Sequence, residues 1–303
     1  MQGMPRYDLC LAWNWEYDAD FAHLLEAACV RRSLSFLHIT PENLEVIEAG
    51  LNCGEITFTA LLDRASEVDA RFHRLPNWGR VHKIFRINPR ERADWTYDKA
   101  NMHPVFVRHG LKMPFTYILP SYDQKPVIPQ PDLSRMGKSF AIKPACEGGG
   151  IGVILEAVSW DQVLDARKQF PDEKYLLQAH VATPTLDGHP AWFRVLYCAG
   201  ATYPNWWDPH THAYARVTAW QRARFGLQRL SEIPRRIAAL CHLHLFSTEI
   251  ALAQDGYFLI VDYINDPVDL RLQSKAADGV PDIFVENIAR RLARLVELKR
   301  RPA

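Results

Sequence analysis

The segment "STEIALAQDGYFLIVDYIND" (residues 247–266) contains two apolar runs joined by an Asp-Gly pair. Asp-Gly between two such runs is a strong signal for a β-hairpin with a two-residue turn. With Asp255 and Gly256 as the turn, equal steps back along both strands place Glu249 directly opposite Asp262. Directly opposed residues share one face of a sheet, with Cβ atoms roughly 4.5–5.5 Å apart. The spacing therefore predicts two carboxylates side by side among apolar residues.

Two neighbouring carboxylates in an apolar setting repel each other, and burial makes their ionisation costlier. A divalent cation relieves both costs, and ligands that offer only oxygen atoms suit Mg²⁺. The alternative is that one acid faces solvent or pairs with an arginine such as Arg216 or Arg271. A three-residue turn would shift the pairing by one position and separate the acids. The metal site therefore depends on the hairpin register.

A glycine-rich stretch, "FAIKPACEGGGIGVI" (residues 140–154), follows an apolar strand that ends at Lys143. Its glycines leave backbone N–H groups free to approach phosphate oxygens, and the lysine adds a positive charge. The chain contains neither the Gly-x-x-x-x-Gly-Lys-Ser/Thr phosphate loop nor a Gly-x-Gly-x-x-Gly motif after the first strand. Together with the acid pair, this stretch supports a hypothesis of Mg-ATP binding.

The first part of the chain alternates strands with helices, which is typical of a parallel, doubly wound sheet. Strands are predicted at 7–13, 35–39, 56–63 and 81–88. Helices are predicted from Phe21 and from Thr40-Pro41, with Thr40 as the cap.

The rest of the chain has an α+β pattern with antiparallel strands. A helix from Asp98 should stop at Gly110, and Ser159 and Gln162 form a capping-box signal for another helix. A final helix is predicted over about 282–300, docked on the sheet through its apolar face. The predicted fold class is thus α/β and α+β, with domains at 1–90, 91–176 and 177–303. Further strands are predicted after Pro114 and at 139–143, 153–158, 174–181, 192–198, 213–218, 247–253 and 257–263.

Composition is that of an ordinary globular protein, with 48% hydrophobic and 23% charged residues in a chain of 303. The net charge of +1 gives no global field that would attract nucleic acid or a membrane. No signal-peptide pattern and no apolar run of about 18 residues is present. The six cysteines are scattered without a Cys-x-x-Cys pair, which favours reduced thiols in a cytoplasmic protein.

From about Asp98 to Pro267 the sequence resembles the ATP-grasp family, which includes D-alanine–D-alanine ligase, glutathione synthetase and biotin carboxylase. The resemblance rests on motifs in a fixed order and implies a pre-ATP-grasp domain followed by a two-subdomain ATP-grasp fold. These motifs are "DKANMHPVFVRHGLKMP" (98–114), "FAIKPACEGGGIGV" (140–153), "KYLLQAHV" (174–181), "WFRVLYCAGA" (192–201) and "TEIALAQDGYFLIVDYINDP" (248–267).

The resemblance also implies roles for individual residues. Two lysines and the glycine flap would hold phosphates, a hinge strand would hold adenine, an arginine would lie near the reacting phosphates, and the hairpin acids would bind metal. In that order the residues are Lys99 and Lys143; Glu147, Gly148, Gly149 and Gly150; Gln178, Ala179, His180 and Val181; Arg194; and Glu249 and Asp262.

The hairpin departs from the family pattern in three places, the first being that Asp262, with a shorter reach, stands where the family has a glutamate. The family spacing Glu-x-Asn would place an asparagine at Ile264, but here it is Asn265, which can be a ligand only with a bulge or at the strand end. An arginine often lies two residues before the first acid, and here that position is Ser247. Arg216 or Arg271 would then serve as the arginine that stabilises the oxyanion.

Similarity to this family implies an ATP- and Mg²⁺-dependent ligase, with Mn²⁺ as an alternative ion. Its partners would be a small-molecule carboxylate and a nucleophilic co-substrate, with no nucleic acid or membrane, and a homodimer is compatible. Two alternatives stay open: an ATP-grasp-like small-molecule kinase, and a nucleotide-binding protein without turnover.

Several other residues are weaker candidates. Asn14 and Glu16 follow the first strand, where open α/β sheets bind ligands. The stretch "NWWDPH" (205–210) is either a substrate loop or a pair of core tryptophans. Two histidine-containing groups favour packing over metal binding: His210 with His212, and Cys241 with His242 and His244.

Overall fold

The computed structural model describes residues 5–300 and contains three main sheets. The first sheet is parallel, with strand order β2-β1-β3-β4, as the alternation of strands and helices predicts. Its elements are β1 (Arg6–Ala12), α1 (Ala19–Val30), β2 (Phe36–Ile39), α2 (Leu44–Cys53), β3 (Thr57–Asp63), α3 (Arg74–Val81) and β4 (Phe85–Ile87).

Two predicted boundaries in this region are wrong. Helix α2 begins at Leu44 rather than after Thr40, because the Asn43 side chain accepts from the Thr40 N–H and donates to the His38 carbonyl. These bonds hold residues 40–43 in a turn. The strand predicted at 81–88 is shorter, because α3 continues to Val81 before the chain extends again.

The second sheet is antiparallel, with order β5-β8-β6-β7, and carries the glycine-rich stretch between β6 and β7. The Ser159/Gln162 capping box is confirmed at the start of α6, and the Asp98 side chain caps α5. The helices and strands of this part of the chain are α4 (Arg90–Tyr97), α5 (Lys99–Arg108), β5 (Thr116–Leu119), β6 (Phe140–Pro144), β7 (Ile154–Ala157), α6 (Trp160–Gln169) and β8 (Tyr175–Ala179).

The third sheet is antiparallel, with order β13-β12-β11-β14-β15, and a two-stranded ribbon of β9 and β10 precedes it. Strand β12 lies where no strand was predicted. The remaining elements are β9 (Thr185–Leu186), β10 (His189–Pro190), β11 (Trp192–Cys198), β12 (Ala201–Trp207), β13 (Tyr214–Arg216), α7 (Ala219–Arg224), α8 (Arg229–Cys241), β14 (Leu245–Leu252), β15 (Phe258–Asn265) and α9 (Asp282–Lys299).

Helix α9 docks on the third sheet, as predicted, and it also packs against the first. One buried cluster contains Leu25 of α1, Leu196 of β11 and Leu292 of α9. The second sheet packs most of its apolar face in a separate cluster that includes Ile142 and Leu177. The first and third sheets therefore share a core that the second does not. Within residues 5–300, no helix is long and apolar enough to cross a membrane.

Candidate nucleotide and metal site

The hairpin of β14 and β15 brings Glu249 and Asp262 into direct opposition, as predicted, but by another route. Its loop has three residues, 254–256, because the Ala253 N–H donates to the Tyr257 carbonyl. The two-residue turn was therefore wrong, and the pairing near the loop is shifted by one. A bulge at Val261 removes this shift, since Ile250 pairs with Ile260 whereas Glu249 pairs with Asp262.

A second irregularity places Asn265, rather than Ile264, opposite Ser247. The Asn265 side-chain amide donates to the Asp262 carboxylate at 3.1 Å. The bulge that Asn265 requires is therefore present, and three oxygen-bearing side chains gather at this end of the hairpin: Glu249, Asp262 and Asn265.

The two acids lie in different electrostatic surroundings. Trp192 donates from Nε1 to Glu249 at 3.3 Å, and Arg194 approaches the same carboxylate at 3.8 Å. Burial raises the pKa of the Glu249 carboxyl, although the charge of Arg194 opposes the shift. Burial acts in the same direction on Asp262, yet the charges of Lys99 and Lys143 outweigh it and lower the pKa of that carboxyl.

Lys143 connects the second sheet to the hairpin. Its ammonium group donates to the Val261 carbonyl and to the Gln178 side-chain oxygen, both at 2.9 Å. Burial lowers the pKa of Lys143, while Asp262 and Glu249 oppose this shift. The lysine at the base of the glycine-rich loop thus lies beside the acid pair.

Lys99 and the glycine-rich loop, residues 145–153, lie next to each other. The Lys99 ammonium donates to the Glu147 carbonyl at 2.9 Å. Gly148 is packed against the Tyr97 hydroxyl so closely that a Cβ atom would collide with it. Gly149 and Gly150 have φ angles of +61° and +80°, and no atom lies within 4 Å of the Cβ position of either. The middle of the loop is open to a ligand.

The predicted hinge, residues 178–181, begins at Gln178, the residue that contacts Lys143. Gln178 is buried and accepts from Lys143, and the Ala179 N–H already donates to the Phe115 carbonyl at 2.9 Å. Val181 is buried, whereas His180 is exposed. In the described part of the chain, the N–H groups of His180 and Val181 donate to no carbonyl.

Of the three candidate arginines, only Arg194 is placed beside the acid pair. Arg216 is exposed, and β11 and β12 separate it from β14. Arg271 lies in the segment after β15, where its guanidinium bonds Asp269 at 2.7 Å and Asp278 at 2.8 Å.

The weaker candidates lie elsewhere. The Asn14 amide donates to Asp69, and Glu16 is exposed at the start of a single helical turn. The tryptophans of "NWWDPH" belong to β12 and are buried, so the core interpretation holds for them. Among residues 5–300, no group of three His, Cys, Asp or Glu side chains has the geometry to hold a metal ion, including those around His210, His212, Cys241, His242 and His244.

Three contacts at this site were not predicted from the sequence, although Ser247 was noted there as the position of a missing arginine. They are Trp192 on Glu249, Ser247 as acceptor of the Arg194 Nε, and Tyr97 against Gly148. Strand alternation would have found Trp192, since it lies two residues before Arg194 and shares its face. No local pattern marks Tyr97, because its contact joins the end of α4 to a distant loop.

Comparison with known sequences gave no match, either to a protein-family model or to a curated protein. Comparison with solved structures gave matches along nearly the whole chain. A RimK domain ATP-grasp protein from Sphaerobacter thermophilus DSM 20745 has a TM-score of 0.64 at 16% identity, covering 94% of this chain and 98% of that one. D-alanine–D-alanine ligase from Bacillus anthracis, complexed with ATP, has a TM-score of 0.65 at 10% identity and covers 99% of both chains.

The chain has the ATP-grasp fold. A third ATP-grasp structure, the ligase PsnB complexed with precursor peptide PsnA2 and AMPPNP, has a TM-score of 0.63 at 11% identity and covers 99% of both chains. The fold class expected from the sequence is confirmed.

The side chains at the hairpin fit a hard divalent cation. Glu249 and Asp262 offer carboxylate oxygens, and Asn265 adds an amide oxygen beside them. No cysteine or histidine lies in the paired hairpin strands, so the donor set favours Mg²⁺ over zinc.

Proposed function

We propose that this protein is an ATP- and Mg²⁺-dependent ligase that joins a small-molecule carboxylate to an amine or similar nucleophile. The observation that carries the proposal is the bond from Lys143 to the Val261 carbonyl, adjacent to Asp262. It brings the base of the glycine-rich loop and the acid pair to one place. The solved ATP-grasp ligases support it, because PsnB was solved with AMPPNP and, in another complex, with Mg and ADP.

Each part of the site has a role in this proposal. Lys99 and Lys143 hold phosphate oxygens, and the N–H groups of the glycine-rich loop cover them. Free N–H groups at His180 and Val181 are suited to hydrogen-bond the edge of adenine, beside Gln178. Glu249, Asp262 and Asn265 would hold Mg²⁺ or Mn²⁺, which supplies neutralising charge to the phosphates when bound.

The proposed reaction has two steps. A substrate carboxylate oxygen bonds to the γ-phosphorus while the bond from that phosphorus to the β,γ-bridging oxygen breaks, which gives an acyl phosphate and ADP. The nucleophile then attacks the acyl carbon, phosphate leaves with the bonding electrons, and the nucleophile loses its proton. Arg194 balances the negative charge that develops, and the closed loop excludes water.

Thermal unfolding with and without saturating Mg-ATP tests the nucleotide site. Ligand at about one hundred times its dissociation constant should add about 2.7 kcal/mol of stability. Lys143→Ala and Asp262→Ala should abolish the rise in midpoint. Matched controls are Lys168→Ala and Asp255→Ala, which change exposed residues of the same types on α6 and at the hairpin tip.

A rise that both site variants lose and both controls keep would support the nucleotide site. The absence of any rise in the unmodified chain with ATP or ADP would contradict the proposal. Screening acids and amines for phosphate release then tests the reaction. ADP formation without free phosphate or an acylated product would indicate the kinase alternative.

A further inference from the structure

Five polar side chains form one row across the third sheet, one from each strand. Each is directly opposite its neighbour in the strand pairing, and the row runs from the cationic end to the acidic end: Arg216, Asn205, Arg194, Glu249 and Asp262. The acidic half is accounted for by the metal and nucleotide. In the cationic half, on β11, β12 and β13, only Arg194 has a role in the proposed function, and Asn205 and Arg216 have none.

Arg194 is held in one orientation at the centre of this row. Its Nε donates to the Ser247 hydroxyl at 3.2 Å, and its guanidinium lies 4.7 Å above the Trp207 ring. One terminal nitrogen is 3.8 Å from Glu249, and the other donates to no group within residues 5–300. A guanidinium fixed on an indole with free donors is suited to a planar anion such as a carboxylate.

Tyr214 lies on the same indole. It is directly opposite Trp207 in the pairing of β12 with β13, and the two rings meet edge to face at 4.7 Å. Only 7% of Tyr214 is exposed, yet its hydroxyl has no hydrogen-bond partner in the described chain and is not sealed from solvent. Burial raises the pKa of Tyr214 to about 12, so the hydroxyl keeps its proton near neutral pH.

Two more groups beside Arg194 are buried without a partner. The Trp207 indole N–H and the Asn205 side-chain oxygen have no hydrogen bond within residues 5–300. Buried polar groups are normally satisfied, so the surroundings of Arg194 lack part of their internal hydrogen bonding.

The nearby acids do not occupy the free donors. Besides Glu249, Asp269 is the carboxylate whose charge acts on both Arg194 and Tyr214, but both of its oxygens accept from Arg271. Glu249 is directed to the metal in the proposed function. One terminal nitrogen of Arg194 and the Tyr214 hydroxyl therefore stay without a partner among residues 5–300.

We propose that Tyr214 and Arg194 together bind the carboxylate of the acid substrate, with Tyr214 as a neutral hydrogen-bond donor and Arg194 as the charge partner. This inference rests on the proposed function and adds to it a catalytic residue on β13. The acid would then lie on the β11–β13 side of the metal pair, and Trp207 would form the floor beneath it.

A titration with matched small probes tests this inference. Butyrate, butylammonium and 1-butanol share one carbon skeleton and differ in charge, and each is titrated by ligand-observed NMR into protein saturated with Mg-ADP. Butyrate should bind more tightly than butylammonium and 1-butanol. Tyr214→Phe should weaken it about tenfold or more, as expected when a hydrogen bond to a charged group is lost. Tyr197→Phe, on the opposite face of β11, is the matched control and should leave it unchanged.

Each outcome decides the inference. Selective butyrate binding that Tyr214→Phe weakens and Tyr197→Phe keeps would support it. Equal binding to the Tyr214 variant, equal binding of butylammonium, or no butyrate binding while Mg-ADP still binds would overturn it. Failure of Mg-ADP itself to bind would remove the proposed function and this inference with it. If Tyr214→Phe does not fold, Arg194→Gln must show the same loss of butyrate affinity.

Discussion

The metal hairpin and the glycine-rich loop meet at one site but are built in opposite ways. The hairpin strands are covered on both faces, since Leu245 and Phe246 belong to different buried clusters. The loop at 145–153 has a few anchors at its ends, and the Cβ positions of Gly149 and Gly150 face open space. Charged ligands for a metal need fixed positions, whereas a loop that covers a nucleotide must admit it first.

The boundary between the hairpin and the part of the chain that carries the loop contains apolar packing, since Leu176 of β8 shares a buried cluster with Ile250 and Ile260, and it also contains hydrogen bonds. Lys143 crosses it through the Val261 carbonyl, and His103 of α5 crosses it through the Tyr263 hydroxyl of β15. The contrast predicts that changes in the hairpin and its core affect global stability or metal binding strongly. Changes in the loop should affect nucleotide binding with little effect on the unfolding midpoint.

The largest effect is expected for removal of core support beneath the hairpin. Phe246 is fully buried beside Ser247, and Phe246→Ala should cost about 3–5 kcal/mol of the free energy of unfolding. Phe170→Ala is the matched change beneath the glycine-rich loop, where the ring is half-buried against Gly152. Chemical denaturation measures both. Equal losses would break the contrast between the two regions.

The second largest effect concerns metal dependence. Asp262→Asn keeps the shape of the hairpin but removes a charge from the candidate metal site. In the unmodified protein, Mg-ATP should bind about 100-fold tighter than ATP does in excess chelator. This ratio corresponds to a difference of about 2.8 kcal/mol in binding free energy. In the variant, calorimetry should show nearly equal affinities. Asp255→Asn at the hairpin tip is the control, and a metal effect that survives in Asp262→Asn would rule out this carboxylate as a ligand.

The opposition of Glu249 and Asp262 was predictable from strand alternation, but the loop length and the bulge that produce it were not. The predicted two-residue turn is a three-residue loop with Gly256 at φ +85°, and a bulge at Val261 compensates. The bulged carbonyl accepts from Lys143, which is 118 residues away along the chain. A hairpin signal is local, whereas this bulge is stabilised by a contact between two sheets, so hairpin sequence alone cannot reveal it.

Strand β12 shows a second limit of local patterns. Pro204 interrupts its alternation and the Asp208-Pro209 pair follows directly after it, so local patterns predict either a substrate loop or core tryptophans at 205–210 and no strand. Its pairing with β11 and β13 places Trp207 under Arg194 and opposite Tyr214. The cationic half of the polar row arises from that pairing and was therefore missed, while the glycine-rich loop and both lysines carry recognisable local motifs.

A smaller effect is expected for the glycine-rich loop itself. Gly150 has φ +80°, and an alanine there should cost about 1–2 kcal/mol in that conformation. The loop can avoid this cost by changing shape, so Gly150→Ala should weaken Mg-ATP binding by about tenfold and leave the unfolding midpoint nearly unchanged. Gly226→Ala, at φ +65° in the loop after α7, is the control that should keep nucleotide affinity. A large fall in midpoint for Gly150→Ala would mean that the loop is part of the cooperative core.

The smallest effect is expected at the boundary itself, where pH should act through His103. Its Nδ1 lies 2.5 Å from the Tyr263 hydroxyl, and burial lowers the pKa of the imidazole. Because the folded state resists a proton that the unfolded state accepts below about pH 6.5, this histidine should cost stability as the pH falls through that value. His103→Gln keeps an acceptor without the titration, and it should reduce the fall in midpoint between pH 7.5 and 5.5 by about 1–2 °C. His109→Gln, exposed just after the same helix, should keep the full pH dependence. If both variants behave alike, the hydrogen bond between His103 and Tyr263 does not couple α5 to the hairpin, and the packing of Leu176 with Ile250 and the bond from Lys143 to the Val261 carbonyl are what join the second sheet to the hairpin.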